Sequence, residues 1–344
     1  MKRRSFLKLV GGAAGSAAIL MSHAAVQAGA PLPRRPLGRT GLTVPVVGFP
    51  GLALSREEPP RCARAVRESL DLGVDYFDVA PAYGQAEEKM GPALEGIDRS
   101  KYFLACKTKQ RTAEGARGEM ERSLQRLKTD HFDLYQLHHL RTVEEVKEAL
   151  GPGGAMEFIV KAREQGKLKY IGFSAHGTQA ALEVMKGFKF DTVMFPINFV
   201  ELLVKGFGRE VLDLAKEQGA AVLAIKALSR GSWPEGVTRT RDWWYRSMET
   251  LDDVGLALRF TLSQPAVTTG FPPAFLDLFA TAVEAARQPR PLSDADTARL
   301  KELASDSISV FVRPDGRIVH HHRADPESIF PGGPYDGGCP GEWA

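Results

Sequence analysis

Eight short apolar runs alternate with amphipathic segments along this chain, and that alternation restricts the fold more than any other feature. The runs are "VPVVGF", "VDYFDV", "YFLACKT", "FDLYQLHH", "LKYIGFSA", "FDTVMFPIN", "AAVLAIKAL" and "AVTTGF". Helical periodicity occupies the stretches between them, at 60–71, 113–128, 155–165, 179–187, 209–218, 251–263 and 274–287. Gly73, Gly166 and Gly219 supply stops after three of these. Runs that are apolar almost throughout suit parallel strands covered on their outer face. Eight strand–helix units over roughly 250 residues predict an α/β chain folded as a (β/α)8 TIM barrel. The alternative is an open doubly wound sheet. It lacks its main support, because no G-x-G-x-x-G follows the first strand.

Two further segments flank the repeat. "PLPRRPLGRTGLTVPVVGF" predicts a small N-terminal hairpin turning at residues 39–41. From residue 305 the chain becomes rich in Gly, Pro, His and acids, which predicts an extended C-terminal tail lying on the barrel. The expected division is a signal peptide at 1–30, a barrel at 31–304 and a tail at 305–344.

The first thirty residues read as a targeting segment. They have a basic start, a short Gly/Ala-rich apolar run, and small residues before cleavage points after Ala28 or Ala30. "RRSFLK" resembles the twin-arginine export signal, with Lys2 where that signal usually has Ser or Thr. The expected location is therefore the periplasm, reached through the twin-arginine machinery; an ordinary secretory signal or membrane anchor is the alternative. No later run is long and apolar enough to span a bilayer. Four of the 45 basic residues and none of the 42 acids fall in residues 1–30. The remainder is close to neutral, which argues against nucleic acid as a partner. Cys62, Cys106 and Cys339 are too few and too scattered for a disulfide framework. Cys106, inside an apolar run, reads as a small core hydrophobe. A Cys62–Cys339 bridge is the other use open to these thiols in an oxidising compartment.

In a (β/α)8 barrel the chemistry gathers at the C-terminal ends of the strands. Asp78 ends the second predicted strand and Tyr83 lies in its loop. Lys107 ends the third, and His138 ends the fourth. A carbonyl accepting hydride develops negative charge on oxygen and needs a proton donor. A phenol with a pKa of about 10 is a reluctant donor. A neighbouring ammonium is expected to lower that pKa, and a carboxylate to hold the ammonium charged. An imidazole can orient the carbonyl oxygen. Taken singly, each residue has an ordinary structural use: a packed turn Tyr, an Asp cap, a solvated Lys, a core His. Four on three consecutive strands read as one catalytic site, with Tyr83 as general acid, Lys107 and Asp78 tuning it, and His138 positioning a carbonyl substrate.

The segments "FDVAPAYG", "LACKTK", "DLYQLHH", "KYIGFSAHG", "FPIN" and "ALRFTLSQPAVTTGFP" together resemble the aldo-keto reductase family over residues 34–290. The resemblance implies reduction of aldehydes or ketones with NADPH or NADH on a (β/α)8 barrel, and a Tyr/Lys/Asp/His tetrad filled here by Tyr83, Lys107, Asp78 and His138. It also implies a cofactor side. Ser174 matches the family's Ser-Asn pair, but Ala175 replaces the Asn and His176 follows. Met194 stands where Gln is usual, and Asn198 matches. Ile225, followed by Lys226, takes the place of the aromatic that stacks on nicotinamide. "TTGFPPAFLDLF" offers no Lys or Arg to a 2′-phosphate, so NADP rests on the resemblance alone. Gly270 with nearby backbone amides is the expected pyrophosphate contact, and Arg313, Arg317 and Arg323 are further sources of positive charge.

Some relatives with a similar "GFSAHG" segment carry an extra iron–sulfur domain with clustered cysteines; the lone Cys339 cannot hold a cluster. Three consecutive histidines, His320 to His322, point in different directions on any regular element and make a poor chelate, so no metal is expected. The insertion containing Trp233, Trp243, Trp244 and Tyr245 packs as a loop or walls a substrate pocket. A reading from another class is a non-catalytic nucleotide-binding barrel acting as sensor or scaffold. The altered Ala175, Met194 and Ile225 favour it, and the four-residue constellation opposes it.

Overall fold

A computed structural model describes residues 30–311. Eight parallel strands form one curled sheet in the order of the sequence: β3 (Phe49–Pro50), β4 (Tyr76–Asp78), β5 (Phe103–Thr108), β6 (Phe132–Leu140), β7 (Leu168–Ala175), β8 (Thr192–Pro196), β9 (Ala221–Ile225) and β12 (Val267–Gly270). The two edges meet. Val47 bridges Gly270, Gly270 N donates to Val46 O at 2.9 Å, and Gly48 N donates to Gly270 O at 3.2 Å. The predicted barrel is thus present, with all eight predicted strands in it.

The helices are α1 (Pro59–Asp71), α2 (Ala86–Leu94), α3 (Ala113–Arg126), α4 (Val143–Leu150), α5 (Ala155–Glu164), α6 (Thr178–Gly187), α7 (Arg209–Gln218), α8 (Leu251–Leu262), α9 (Leu276–Ala286) and α10 (Asp294–Ser305). Several start as their sequences require. Thr112, Thr142 and Thr250 accept hydrogen bonds from the backbone N–H three residues on, and Ser293 with Asp296 forms a capping box. The sequence reading did not anticipate α2, α4 or α10. The predicted N-terminal hairpin is β1 (Arg34–Pro36) against β2 (Thr43–Pro45), and its Leu37 and Val44 pack against the residues that fill the barrel at its N-terminal end.

Strand alternation divides the core in two. Tyr76, Phe103, Ala105, Leu134, Met194, Ala221 and Leu223 fill the interior, while Phe77, Leu104, Cys106, Tyr135, Leu137 and Phe173 pack outward under the helices. Tyr76 meets Phe103 and Phe271 edge-on, with ring centroids 4.8 and 5.5 Å away. This period of two aims the site: Asp78, Lys107, His138 and Ser174 stand two residues beyond Tyr76, Ala105, Gln136 and Gly172 on the same inward face.

Cys62 and Cys106 are free thiols and fully buried. Cys339, the histidine run, Arg313, Arg317, Arg323 and the twin-arginine segment lie outside the described residues. No helix among the described residues is long and apolar enough to cross a membrane, and no cluster of three metal-ligating side chains occurs among them.

Candidate active site

Asp78, Tyr83, Lys107 and His138 come together at the C-terminal ends of β4, β5 and β6. Lys107 is fully buried; its Nζ donates to Asp78 Oδ1 and, at 3.3 Å, to Val79 O. The half-buried Tyr83 ring lies above it, with its centroid 4.8 Å from Nζ. His138 approaches that ring edge-on at 5.6 Å. The turn carrying Tyr83 is held by Tyr83 N to Ala80 O and Ala86 N to Tyr83 O, at 3.0 and 3.1 Å. Gly51 lets the loop after β3 lie against Asp78, since a Cβ there would come within 2.2 Å of Asp78 O.

The backbone bends to present these groups. The pairing of β6 with β7 shifts register between Leu137 and Leu140, and His139 adopts φ 59°. A bulge of this kind re-aims side chains beside functional sites. His139 N donates to Ser174 Oγ at 2.7 Å, and Arg111 donates to His138 O at 2.9 Å, which fixes the bulge from both sides. Lys226, just past β9, also takes a left-handed conformation, with φ 57°. Non-glycine residues persist there only when the surroundings over-determine them.

Burial sets the charge states. The Tyr83 hydroxyl is pushed above the usual phenol range by burial, which outweighs the lowering by Lys107. Lys107 acts in the expected direction, but burial of the hydroxyl outweighs it, so the phenol keeps its proton at neutral pH. Burial works against the Lys107 ammonium, but Asp78 and Tyr83 together offset it and hold Lys107 above the ordinary lysine value. His138 is driven well below the usual imidazole range by burial and by Lys107, Lys109, Arg111 and Lys226, so its ring is neutral. Its Nδ1 is buried without a hydrogen-bond partner among the described residues.

A cleft of about 110 Å³ opens over this group. Asp78, Tyr83 and His138 line it, and so do five of the eight residues expected on the cofactor side: Ser174, His176, Met194, Ile225 and Lys226. The other three do not reach its wall. Ala175 points into the layer beneath the helices. Asn198 is fully buried, with Oδ1 accepting from Glu201 N at 3.1 Å. Gly270 spends its N–H and its carbonyl on closing the barrel. The aromatic insertion forms a hairpin, β10 (Ser229–Ser232) against β11 (Tyr245–Ser247). It brings Trp243, Trp244 and Tyr245 to the cleft wall, where Trp243 and Trp244 each meet Tyr245 edge-on.

The donor set suits a nicotinamide group. Ile225 supplies an apolar contact, the Ser174 hydroxyl keeps its proton to donate because its oxygen already accepts from His139, and Lys226 offers positive charge when protonated. Burial brings Lys226 down to about 7. The start of the tail, 307–311, lies on the barrel as expected from the sequence, and with Glu201, a partner that the sequence did not reveal, it backs this side of the cleft.

The sequence model of the Aldo/keto reductase family matches residues 52–304, and the chain belongs to that family. It is 26% identical over 212 residues to the uncharacterized oxidoreductase YqkF of Bacillus subtilis, covering 58% of this chain and 65% of that protein. It is 26% identical over 214 residues to L-galactose dehydrogenase of Arabidopsis thaliana, covering 57% and 66%. With the aldo-keto reductase YhdN of Bacillus subtilis the identity is 32% over 183 residues, covering 48% and 51%. The matches thus span from half to just under two thirds of these relatives. Among solved structures, the holo form of the aldo-keto reductase AKR11C1 from Bacillus halodurans superposes with a TM-score of 0.63 at 24% identity, over 80% of this chain and 98% of that one. The thermostable aldo-keto reductase Tm1743 gives 0.60 at 20% identity, over 79% and 100%. These likenesses show the fold.

Proposed function

We propose that the protein reduces aldehyde or ketone carbonyls with NADPH or NADH, with Asp78, Tyr83, Lys107 and His138 as its catalytic residues. The observation that carries this reading is the buried Lys107–Asp78 pair lying beneath the Tyr83 ring, with His138 at its edge, in one cleft. Ser174, His176, Met194, Ile225 and Lys226 would hold the nicotinamide. When bound, the reduced ring supplies a hydride to the carbonyl carbon.

The chain's own groups do the rest. His138, neutral at working pH, donates a hydrogen bond to the carbonyl oxygen and orients it. Tyr83 carries its proton until charge builds on that oxygen, then releases it there. Lys107 stabilises the phenolate left behind, and Asp78 keeps Lys107 charged in an apolar surrounding. Trp243, Trp244 and Tyr245 exclude water and favour an apolar or aromatic carbonyl compound. On its first thirty residues, we place the mature protein in the periplasm after twin-arginine export, as a barrel at 31–304 followed by a tail at 305–344. Loading the nucleotide before export would suit that route.

Fluorescence titration of the mature protein with NADPH and with NADH tests the reading. Saturable binding of at least one is expected, and the ratio of the two affinities gives the nucleotide preference. Failure of both to bind removes the nicotinamide reading.

A further inference from the structure

The family match ends at residue 304, yet the chain beyond it is built into the barrel mouth. Val310 and Phe311 are fully buried. Two donors from this segment converge on one carboxylate: Ser309 Oγ donates to Glu201 Oε2 at 2.5 Å, and Val310 N donates to Glu201 Oε1 at 2.9 Å. Ser309 Oγ also accepts from Phe311 N at 3.0 Å. On the other side, Ser232 N donates to Ile308 O at 2.8 Å, and Ser232 Oγ to Ser309 O at 3.2 Å. Gly231, at φ 80°, permits that approach, because a Cβ there would stand 2.4 Å from Ile308 O.

Glu201 is itself fully buried, at the start of a π-helical turn, Glu201–Lys205, that follows β8. A carboxylate in such a place is costly unless its oxygens are satisfied. Here the C-terminal segment satisfies both. Burial raises Glu201 to about 7 even so. Docking of 307–311 and burial of Glu201 therefore depend on each other.

What the segment delivers is Phe311. Its ring stacks on Phe207 with centroids 5.1 Å apart and planes 3° apart. It lies 5.8 Å from the His176 ring, and Lys226 Nζ stands 5.4 Å from its centroid. His176 and Lys226 line the cleft and approach each other to 3.4 Å. Phe311 thus backs the two polar side chains on the β7–β9 side of the mouth.

We propose that Glu201 and Phe311 are positioning residues. Glu201 latches the C-terminal segment across the ends of β8 and β9, and Phe311 then holds His176 and Lys226 in place for the nucleotide. The nucleotide part of this proposal rests on the function proposed above; the latch does not.

The test combines nucleotide affinity with amide hydrogen exchange in the full mature chain. Phe311→Ala is expected to weaken NADPH or NADH binding at least tenfold, with kcat falling by a smaller factor, and Phe311→Leu is expected to restore most of the affinity. Glu201→Gln is expected to speed exchange at residues 307–311 and 225–232 together, by at least tenfold. A Phe311→Ala protein that binds nucleotide within twofold of wild type overturns the positioning role. If wild type binds neither nucleotide, the nicotinamide reading falls and exchange decides alone: joint acceleration upholds the latch, and unchanged exchange at 307–311 in Glu201→Gln overturns it.

Discussion

Tyr83→Phe is expected to lower the rate of aldehyde reduction by about 10²–10⁴-fold, the span that a positioned general acid contributes. At 1.36 kcal/mol per tenfold, that is a loss of about 3–5 kcal/mol of transition-state stabilisation. The substitution removes only the hydroxyl. The ring still covers Lys107 at 4.8 Å and still meets the edge of His138. Folding and nucleotide affinity should therefore stay close to wild type, and the loss should appear in kcat. Steady-state kinetics at saturating nucleotide, alongside a fluorescence titration, separate the two quantities. A Tyr83→Phe enzyme with undiminished kcat rules out Tyr83 as the proton donor. A variant with weakened nucleotide binding and intact kcat would move Tyr83 from the chemical step to the binding step.

Lys107→Met is expected to damage stability as well as activity. The pair it breaks is fully buried on the lysine side and nearly so on the aspartate side. Removing one partner leaves Asp78 with an uncompensated charge in an apolar interior, an effect of about 3–5 kcal/mol. The Asp78 carboxyl escapes this only by taking up a proton, since burial already pushes it above the usual carboxylate range. The double replacement Asp78→Leu with Lys107→Met removes both charges. It should be clearly more stable than Lys107→Met alone, because filling such a site with apolar side chains is often neutral. Both variants should lack reductase activity. Urea denaturation of wild type, the single variant and the double variant checks the order. A single variant as stable as the double would show that Asp78 finds other compensation, and would remove the argument that Lys107 is held charged by that pair.

The path from sequence to this site is short where side-chain alternation carries it. The eight barrel strands are nearly continuous apolar runs, and the sheet contains all of them in order. Counting in twos from Tyr76, Ala105, Gln136 and Gly172 reaches Asp78, Lys107, His138 and Ser174, so the convergence of those side chains is written in the strand period. Three helices were not legible for local reasons. The nine-residue α2 contains Gly91 and Pro92, which weaken its helical pattern. The eight-residue α4 is separated from β6 by two residues. The third, α10, comes after the eighth strand–helix unit, where the repeat gives no reason to expect one.

Other features depend on geometry that no local pattern encodes. The bulge that follows His138 rests on one backbone angle at His139. The withdrawal of Gly270 from the cleft follows from closure of the barrel, where its amide meets Val46 O. The latch on Glu201 joins residues 108 positions apart. The charge balance at Tyr83 is a contest between burial and Lys107, and a sequence names the lysine but not the depth of the ring.

The central claim is that the four side chains at the mouth transfer a proton to a carbonyl while a nicotinamide in the same cleft is oxidised. A single-turnover experiment tests it most directly: mature protein loaded with its reduced nucleotide is mixed with a nitrobenzaldehyde, and the alcohol and the oxidised nucleotide are both counted. Alcohol forming in equal amount to oxidised nucleotide, and failing to form with Tyr83→Phe on the same timescale, is the predicted result. Aldehyde that survives unchanged beside a fully reduced, bound nucleotide would contradict it.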